Sequence, residues 1–219
     1  MKIYFLTPGK TFTAGFSASW EELVKLCIRE GIEYVRDIRY SSDVYSARNT
    51  SLSMGLNIPF DMMVPFGGVP YDYMMWIDSD MEFNPESVLK LIEYDVDIVS
   101  GIAARGNTIA APFGIWTETP QGQPCYANHN LKRIDEFPKT EQGLTEVDFV
   151  GFAFMCIKHG VFENMEYPWF RTTIARYMWK DFELTEDLGW CWRAKELGYK
   201  IYVAPDVRVG HNKSMTFTV

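Results

Sequence analysis

Tyr73-Met74-Met75-Trp76-Ile77-Asp78-Ser79-Asp80-Met81-Glu82 is an apolar run that ends abruptly in two carboxylates spaced two residues apart. Apolar or aromatic residues in an unbroken row suit a central strand covered on both faces, and in open α/β sheets ligands gather at the carboxyl ends of such strands. Asp78 and Asp80 are therefore expected at that edge. Two carboxylates so spaced can share a hard divalent cation if the chain turns between them, or one can hold the metal while the other takes a ligand hydroxyl. Asp80, beyond the turn at Ser79, is the better metal ligand. Asp78, nearer the strand, suits a ligand hydroxyl or a water on the ion. A strand end followed by helix-capping acids gives the same letters, so the rest of the chain has to decide between the two.

With 219 residues, 47% of them apolar, the chain can bury a substantial core, and a single domain over its whole length is the expectation. It is also compatible with being one domain of a longer chain. The 21 basic and 29 acidic residues leave a net charge of −8, which disfavours nucleic acid as the main partner because phosphate backbones need clustered cations. An anionic ligand would need a metal or local positive charge. Cys27, Cys125, Cys156 and Cys191 form no C-x-x-C pair and no zinc-ligand spacing. They read as reduced, buried thiols, in keeping with a cytoplasmic protein. Thr7-Pro8-Gly9 interrupts the apolar start before a signal-peptide core can form, and no later apolar run reaches membrane-spanning length.

Taken in order, Lys2 to Leu6 reads as a first buried strand and Thr7-Pro8-Gly9-Lys10 as the loop that leaves it. Ser19-Trp20-Glu21-Glu22 has the form of a capping box, with apolar residues at helical spacing until Gly31. Ile32 to Ile38 follows as a second strand whose end carries Asp37 and Arg39. A right-handed crossover would bring these to the same sheet edge as Asp78 and Asp80. Thr7, Asp37 and Arg39 are thus candidates for contacting a ligand at that edge. Ser42 or Asp43 can cap a second helix, with Arg48 and Asn49 near its middle. Asn84 and Pro85 open a third helix, and Asp97 to Gly101 returns as a strand. From 104 to 145 periodicity weakens, with a hairpin expected around Gln121-Gly122. Val147 to Ile157 reads as a second long apolar run, and an aromatic-rich segment runs from Tyr167 to Phe182. Those aromatics suit stacking on sugar rings, and core packing accounts for most of them. Thr185-Glu186-Asp187 opens another helix, and Ile201 to Ala204 is a short final strand before Gly210-His211. The sum is an α/β chain with a mostly parallel sheet.

Trp76-Ile77-Asp78-Ser79-Asp80, Val150-Gly151-Phe152, Thr185-Glu186-Asp187 and Gly210-His211, in that order, resemble a GT-A glycosyltransferase of the inverting family-2 kind. The likeness spans nearly all residues and extends to the N-terminal domains of large chlorovirus glycosyltransferase proteins. It implies a Rossmann-like, three-layer α/β/α fold, with about 1–103 binding a nucleotide-sugar and the less regular 104–219 binding the acceptor. It also implies a UDP-sugar donor, a saccharide acceptor, and Mn²⁺ or Mg²⁺ as cofactor. By the same likeness Asp80 and His211 hold the metal with Asp78, and Asp187 acts as base. Ala47-Arg48-Asn49 resembles the helix segment that faces the nucleotide, Thr7, Asp37 and Arg39 become candidates for its base and ribose, and Lys213 either pairs with a phosphate or is a solvated surface lysine. The donor sugar is left open between hexose and a deoxyhexose such as rhamnose. A virus would use such an enzyme in its host's cytoplasm.

Other classes compete with this reading. A phosphohydrolase also uses aspartates two apart, but on its first strand and followed by Thr or Val, whereas here Met81-Glu82 follows far downstream. A nucleotidyltransferase wants a glycine-rich signature after the first strand, which Thr7-Pro8-Gly9-Lys10 does not supply. A catalytically silent carbohydrate- or nucleotide-sugar-binding module would keep the aromatics, but the presence of Asp78, Asp80 and Asp187 argues for turnover.

Overall fold

The structure, a computed structural model, describes residues 1–103, 113–128 and 138–212. Its first half alternates strand and helix: β1 (Lys2–Pro8), α1 (Ala14–Arg29), β2 (Glu33–Arg39), α2 (Val44–Ser53), β3 (Tyr73–Ile77), β4 (Met81–Glu82), α3 (Glu86–Glu93) and β5 (Ile98–Ala103). The second half is richer in short strands. They are β6 (Phe113–Glu118), β7 (Pro124–Asn128), β8 (Thr145–Val147), β9 (Phe149–Val150), β10 (Phe154–Lys158), β11 (Thr173–Tyr177) and β12 (Lys180–Leu184). Helix α4 (Glu186–Glu196) and strand β13 (Ile201–His211) follow.

An eight-stranded sheet runs in the order β2-β1-β3-β10-β5-β13-β4, with β8 also on β13. Strands β1, β2, β3, β5 and β13 point the same way, and β10 inserts antiparallel between β3 and β5. The carboxyl ends of the parallel strands therefore share one edge. Alternation along β1 shows how the sheet is covered. Ile3 and Phe5 pack with Phe16, Leu23 and Leu26 of α1 and Val88 and Leu91 of α3. Tyr4 and Leu6 face the other way, toward Leu52 of α2 and Trp190, Cys191 and Ala194 of α4. Two apolar faces with helices on each make the three-layer α/β/α arrangement expected from the sequence. Among the described residues no helix is long and apolar enough to cross a membrane.

Several boundaries differ from the sequence reading, each for a local reason. Helix α1 starts six residues early, at Thr13, whose hydroxyl accepts the Phe16 N–H at 3.2 Å. Phe16 is fully buried and extends the helix's apolar face upstream. Ser19 is then inside the helix, and its hydroxyl accepts the Phe83 N–H at 2.9 Å instead of capping. The run from Val147 to Ile157 is three strands, not one. It breaks first at Asp148, whose carboxylate accepts the Trp116 N–H at 2.7 Å and pairs with Lys195. The final strand is much longer than expected, because Pro205 falls in a register shift between Val203 and Arg208, where no ladder bond is required of it. The hairpin of β6 and β7 turns at Gly122 (φ +73°), where it was expected. The hairpin of β11 and β12 was not anticipated. Its turn passes through Met178 at φ +56°, where a sequence reader looks for glycine or asparagine.

Candidate functional site

The aspartates sit where the apolar run predicts, just past the carboxyl end of β3. The Asp78 N–H donates to Ala153 O at 3.0 Å, and the Met81 N–H donates back to Asp78 O at 3.1 Å, which closes a tight turn through Ser79 and Asp80. The loop after β1 lies directly on that turn. Gly9 approaches so closely that a Cβ there would meet Ser79 Oγ at 2.3 Å, and the Thr13 N–H donates to Ser79 O at 3.3 Å. From the far end of the chain, β13 pairs antiparallel with β4, Gly210 opposite Glu82 and His211 opposite Met81. The Asn212 N–H donates to Asp80 O at 2.8 Å, and His211 Nε2 lies 2.9 Å from Asp80 Oδ2. Backbone bonds thus hold this carboxylate and imidazole together.

Arg48 joins this edge to α4. Its side chain is only 3% exposed and pairs with Asp187, with Glu186 at 3.7 Å and with Asp78 at 3.8 Å. The helix that carries it is firmly started: the Asp43 carboxylate accepts the Ser46 N–H at 2.7 Å. Burial pulls the Arg48 pKa down, but Asp187, Asp78 and Glu186 outweigh it, and the value ends above that of ordinary arginine. Burial pushes the Asp78 carboxyl up to about 6, with Arg48 opposing and Asp187 and Asp80 adding to the rise. Glu186 is raised too, by burial and then by Asp187. Asp187 lies in the first turn of α4, as expected. Thr185 holds the N-cap position without a side-chain cap bond. Arg48 engages Asp187 Oδ1, and 22% of the Asp187 side chain is exposed.

Beside these charges is a cleft of about 190 Å³ lined by Pro8, Gly9, Lys10, Tyr40, Val44 and Ala47. Lys10 Nζ stands 5.5 Å from the centre of the Tyr40 ring. Sequence reasoning passed over Lys10 and Tyr40, although both adjoin strand ends it had singled out. Asp37 and Arg39 reach the same edge opposite Leu6 and Pro8. They bind each other, Arg39 Nε donating to the Asp37 oxygens at 3.0 and 3.2 Å. Thr7 is not brought into the cleft, being fully buried within the sheet layer with no partner for its hydroxyl among the described residues. Lys213 lies outside the described residues. Asn49, Arg48's neighbour, grips the Phe170 backbone, donating to its carbonyl at 2.7 Å and accepting its N–H at 3.0 Å. Two larger clefts, about 430 and 520 Å³, lie beside the second half of α4 and around Tyr71, Asp72 and His159. Neither adjoins the carboxylate edge.

For a divalent cation, Asp80 and His211 offer one oxygen and one imidazole donor in hydrogen-bond contact, a combination that suits Mn²⁺. Among the described residues no cluster of three or more His, Cys, Asp or Glu side chains could hold a metal. The pair fits as part of a shell that a ligand's oxygens and water would complete.

No protein-family model and no curated protein matches the chain. Among solved structures, A197 from STIV is similar over 100% of this chain and 98% of its own, at TM-score 0.51 and 15% identity. The catalytic domain of Drosophila beta1,4galactosyltransferase 7, in complex with xylobiose, is similar over 97% of this chain and 71% of its own (TM-score 0.49, 14% identity). GalNAc-T7 with UDP, GalNAc and Mn²⁺ is similar over 96% of this chain and 37% of its own (TM-score 0.48, 13% identity). At 15% identity the likeness to A197 is one of fold alone.

Proposed function

We propose that the chain is a metal-dependent glycosyltransferase that moves a hexose or deoxyhexose from a uridine diphosphate donor to a saccharide hydroxyl with inversion. The observation that carries this reading is the arrangement of one sheet edge. Asp80 and His211 form a carboxylate–imidazole pair there, and Arg48 links Asp78 of the same turn to Asp187 at the head of α4. The ion, when bound, supplies neutralisation of the charge that develops on the departing diphosphate. Asp80 and His211 would hold it, and Asp78 would orient the donor beside it. Lys10 and Tyr40 border the cleft that suits the base and ribose, with Asp37 and Arg39 behind them. The remaining work falls to Asp187, which accepts the proton of the acceptor hydroxyl. That oxygen forms the new bond to the anomeric carbon while the bond to the diphosphate breaks, and the electron pair leaves with the diphosphate.

The test is a thermal-shift panel of nucleotide-sugars with and without Mn²⁺, because a ligand that binds only the folded chain raises its melting temperature. A UDP-sugar that stabilises the protein only with the ion, followed by release of UDP on adding saccharide acceptors, is the expected result. Stabilisation by none of the panel, or equal stabilisation in EDTA, would sink the reading.

A further inference from the structure

Resting on that reading, we propose that Arg48 is a positioning residue: it fixes Asp187 on α4 relative to Asp78 at the end of β3, and does not itself contact the nucleotide. The family resemblance had implied a nucleotide contact, and the geometry points elsewhere. A guanidinium can use its flat faces and its five N–H donors. The Arg48 carbon Cζ lies 5.1 Å from the centre of the Phe152 ring and 5.5 Å from that of Phe170, so aromatic groups crowd around the guanidinium. Nη1 points to Asp187 and Glu186, Nη2 lies toward Asp78, and Nε is buried without a partner among the described residues. With 3% of the side chain exposed, little of it is left to meet a phosphate.

What the side chain spans is more telling than what it excludes. Asp78 and Asp187 lie 109 positions apart (187 minus 78) on elements of different layers. Asp187 must keep its distance from a donor anchored at Asp78 and Asp80 if it is to take a proton from the far side of the reacting carbon. One planar cation hydrogen-bonded to Asp187 and ion-paired with Asp78 at 3.8 Å sets that distance, and lysine, a single point charge, cannot bridge them in the same way. The surroundings hold the cation in turn. Asn49 fixes the Phe170 backbone through two hydrogen bonds, and Phe170 and Phe152 flank the guanidinium.

The experiment uses the full chain and two readouts. Calorimetry measures UDP–Mn²⁺ affinity, and a coupled assay measures hydrolysis of whichever UDP-hexose stabilises the wild type most. For Arg48→Lys, affinity should stay within roughly threefold of wild type while turnover falls by about 10²-fold, the scale of a misplaced reacting group. Affinity lost by tenfold or more, with turnover at saturating donor preserved, would overturn the proposal in favour of a nucleotide contact. A thermal double-mutant cycle keeps the test independent of catalysis. Arg48→Met should lower the melting temperature by roughly 10 °C, and in an Asp187→Asn background clearly less, because the stranded carboxylate is gone. Additive shifts would refute the tie between the two residues. A wild type that binds no UDP–Mn²⁺ overturns the functional reading alone, while the cycle still reports whether Arg48 holds Asp187.

Discussion

Replacing Gly9 by alanine would drive a methyl group into the turn that presents the two aspartates. The new Cβ would lie 2.3 Å from Ser79 Oγ and 2.6 Å from Ser79 Cβ, with the next neighbour, Thr11 O, at 3.8 Å. Comfortable contacts begin near ~3.5 Å, so roughly 1 Å of separation has to come from movement of the loop or of Ser79. Overpacking of this kind costs about 1–3 kcal/mol. The backbone adds a second cost, because Gly9 at φ +157° is in a conformation that L side chains rarely adopt, worth about another 1–3 kcal/mol. The two can be separated, since deleting the Ser79 side chain removes both short contacts and leaves the backbone angle as it was. In urea unfolding, Gly9→Ala should lose about 2–6 kcal/mol in the wild-type background and about 1–3 kcal/mol less in a Ser79→Gly background. Because the displaced turn carries Asp78 and Asp80, UDP–Mn²⁺ affinity should fall about tenfold or more in the single variant, at least ~1.4 kcal/mol, and recover in the double. Wild-type stability in Gly9→Ala, or a loss that Ser79→Gly leaves untouched, would refute the reasoning, because the loop would then be free to lift off the turn.

Asp187→Asn should bind donor and metal almost normally yet lose transfer by about 10²–10⁴-fold, with Glu186→Gln milder. Near-normal turnover, or a product that keeps the donor's anomeric configuration, counts against Asp187 as base. Asp80→Ala should abolish the Mn²⁺ dependence of UDP binding, and calorimetry giving the same UDP affinity in EDTA and in Mn²⁺ would remove the metal from the scheme. Asn49→Ala strands two buried backbone groups of Phe170 and should destabilise the chain by about 2–4 kcal/mol in urea unfolding, whereas Asn49→Asp should restore only the bond from the Phe170 N–H.

What could be read from the sequence was what is decided locally or by burial on both faces. The row Tyr73 to Ile77 could only be a covered strand, and its end had to deliver Asp78 and Asp80 to a sheet edge. Asp43 capping α2 and Gly122 turning a hairpin follow from chemistry within a few residues. Pairings across the chain were not legible: nothing near Arg48 announces that its partner is Asp187, 139 positions away, since the pair exists only once α2 and α4 lie on one face. Pro205 misled for a related reason. It reads as a strand terminator, and only the neighbouring strand reveals that the register slips there and resumes at Arg208. Thr13 was not read as a cap at all, because the capping box at Ser19 is the stronger local signal and the burial of Phe16 is not visible in the sequence.

That resumed stretch of β13 has a consequence for how the molecule is born. Asp80 and His211 are 131 positions apart, so a chain leaving the ribosome completes β1, β2 and β3 long before the imidazole exists. Parallel neighbours such as β5 and β13 impose the same wait, because distant pairings form late. During synthesis this sheet edge is therefore half made, with Asp78 and Asp80 already released and His211 still inside the ribosome. Protease protection by UDP and Mn²⁺ should accordingly appear only in nascent chains long enough to have released Gly210 and His211, so that ligand competence marks the completion of folding.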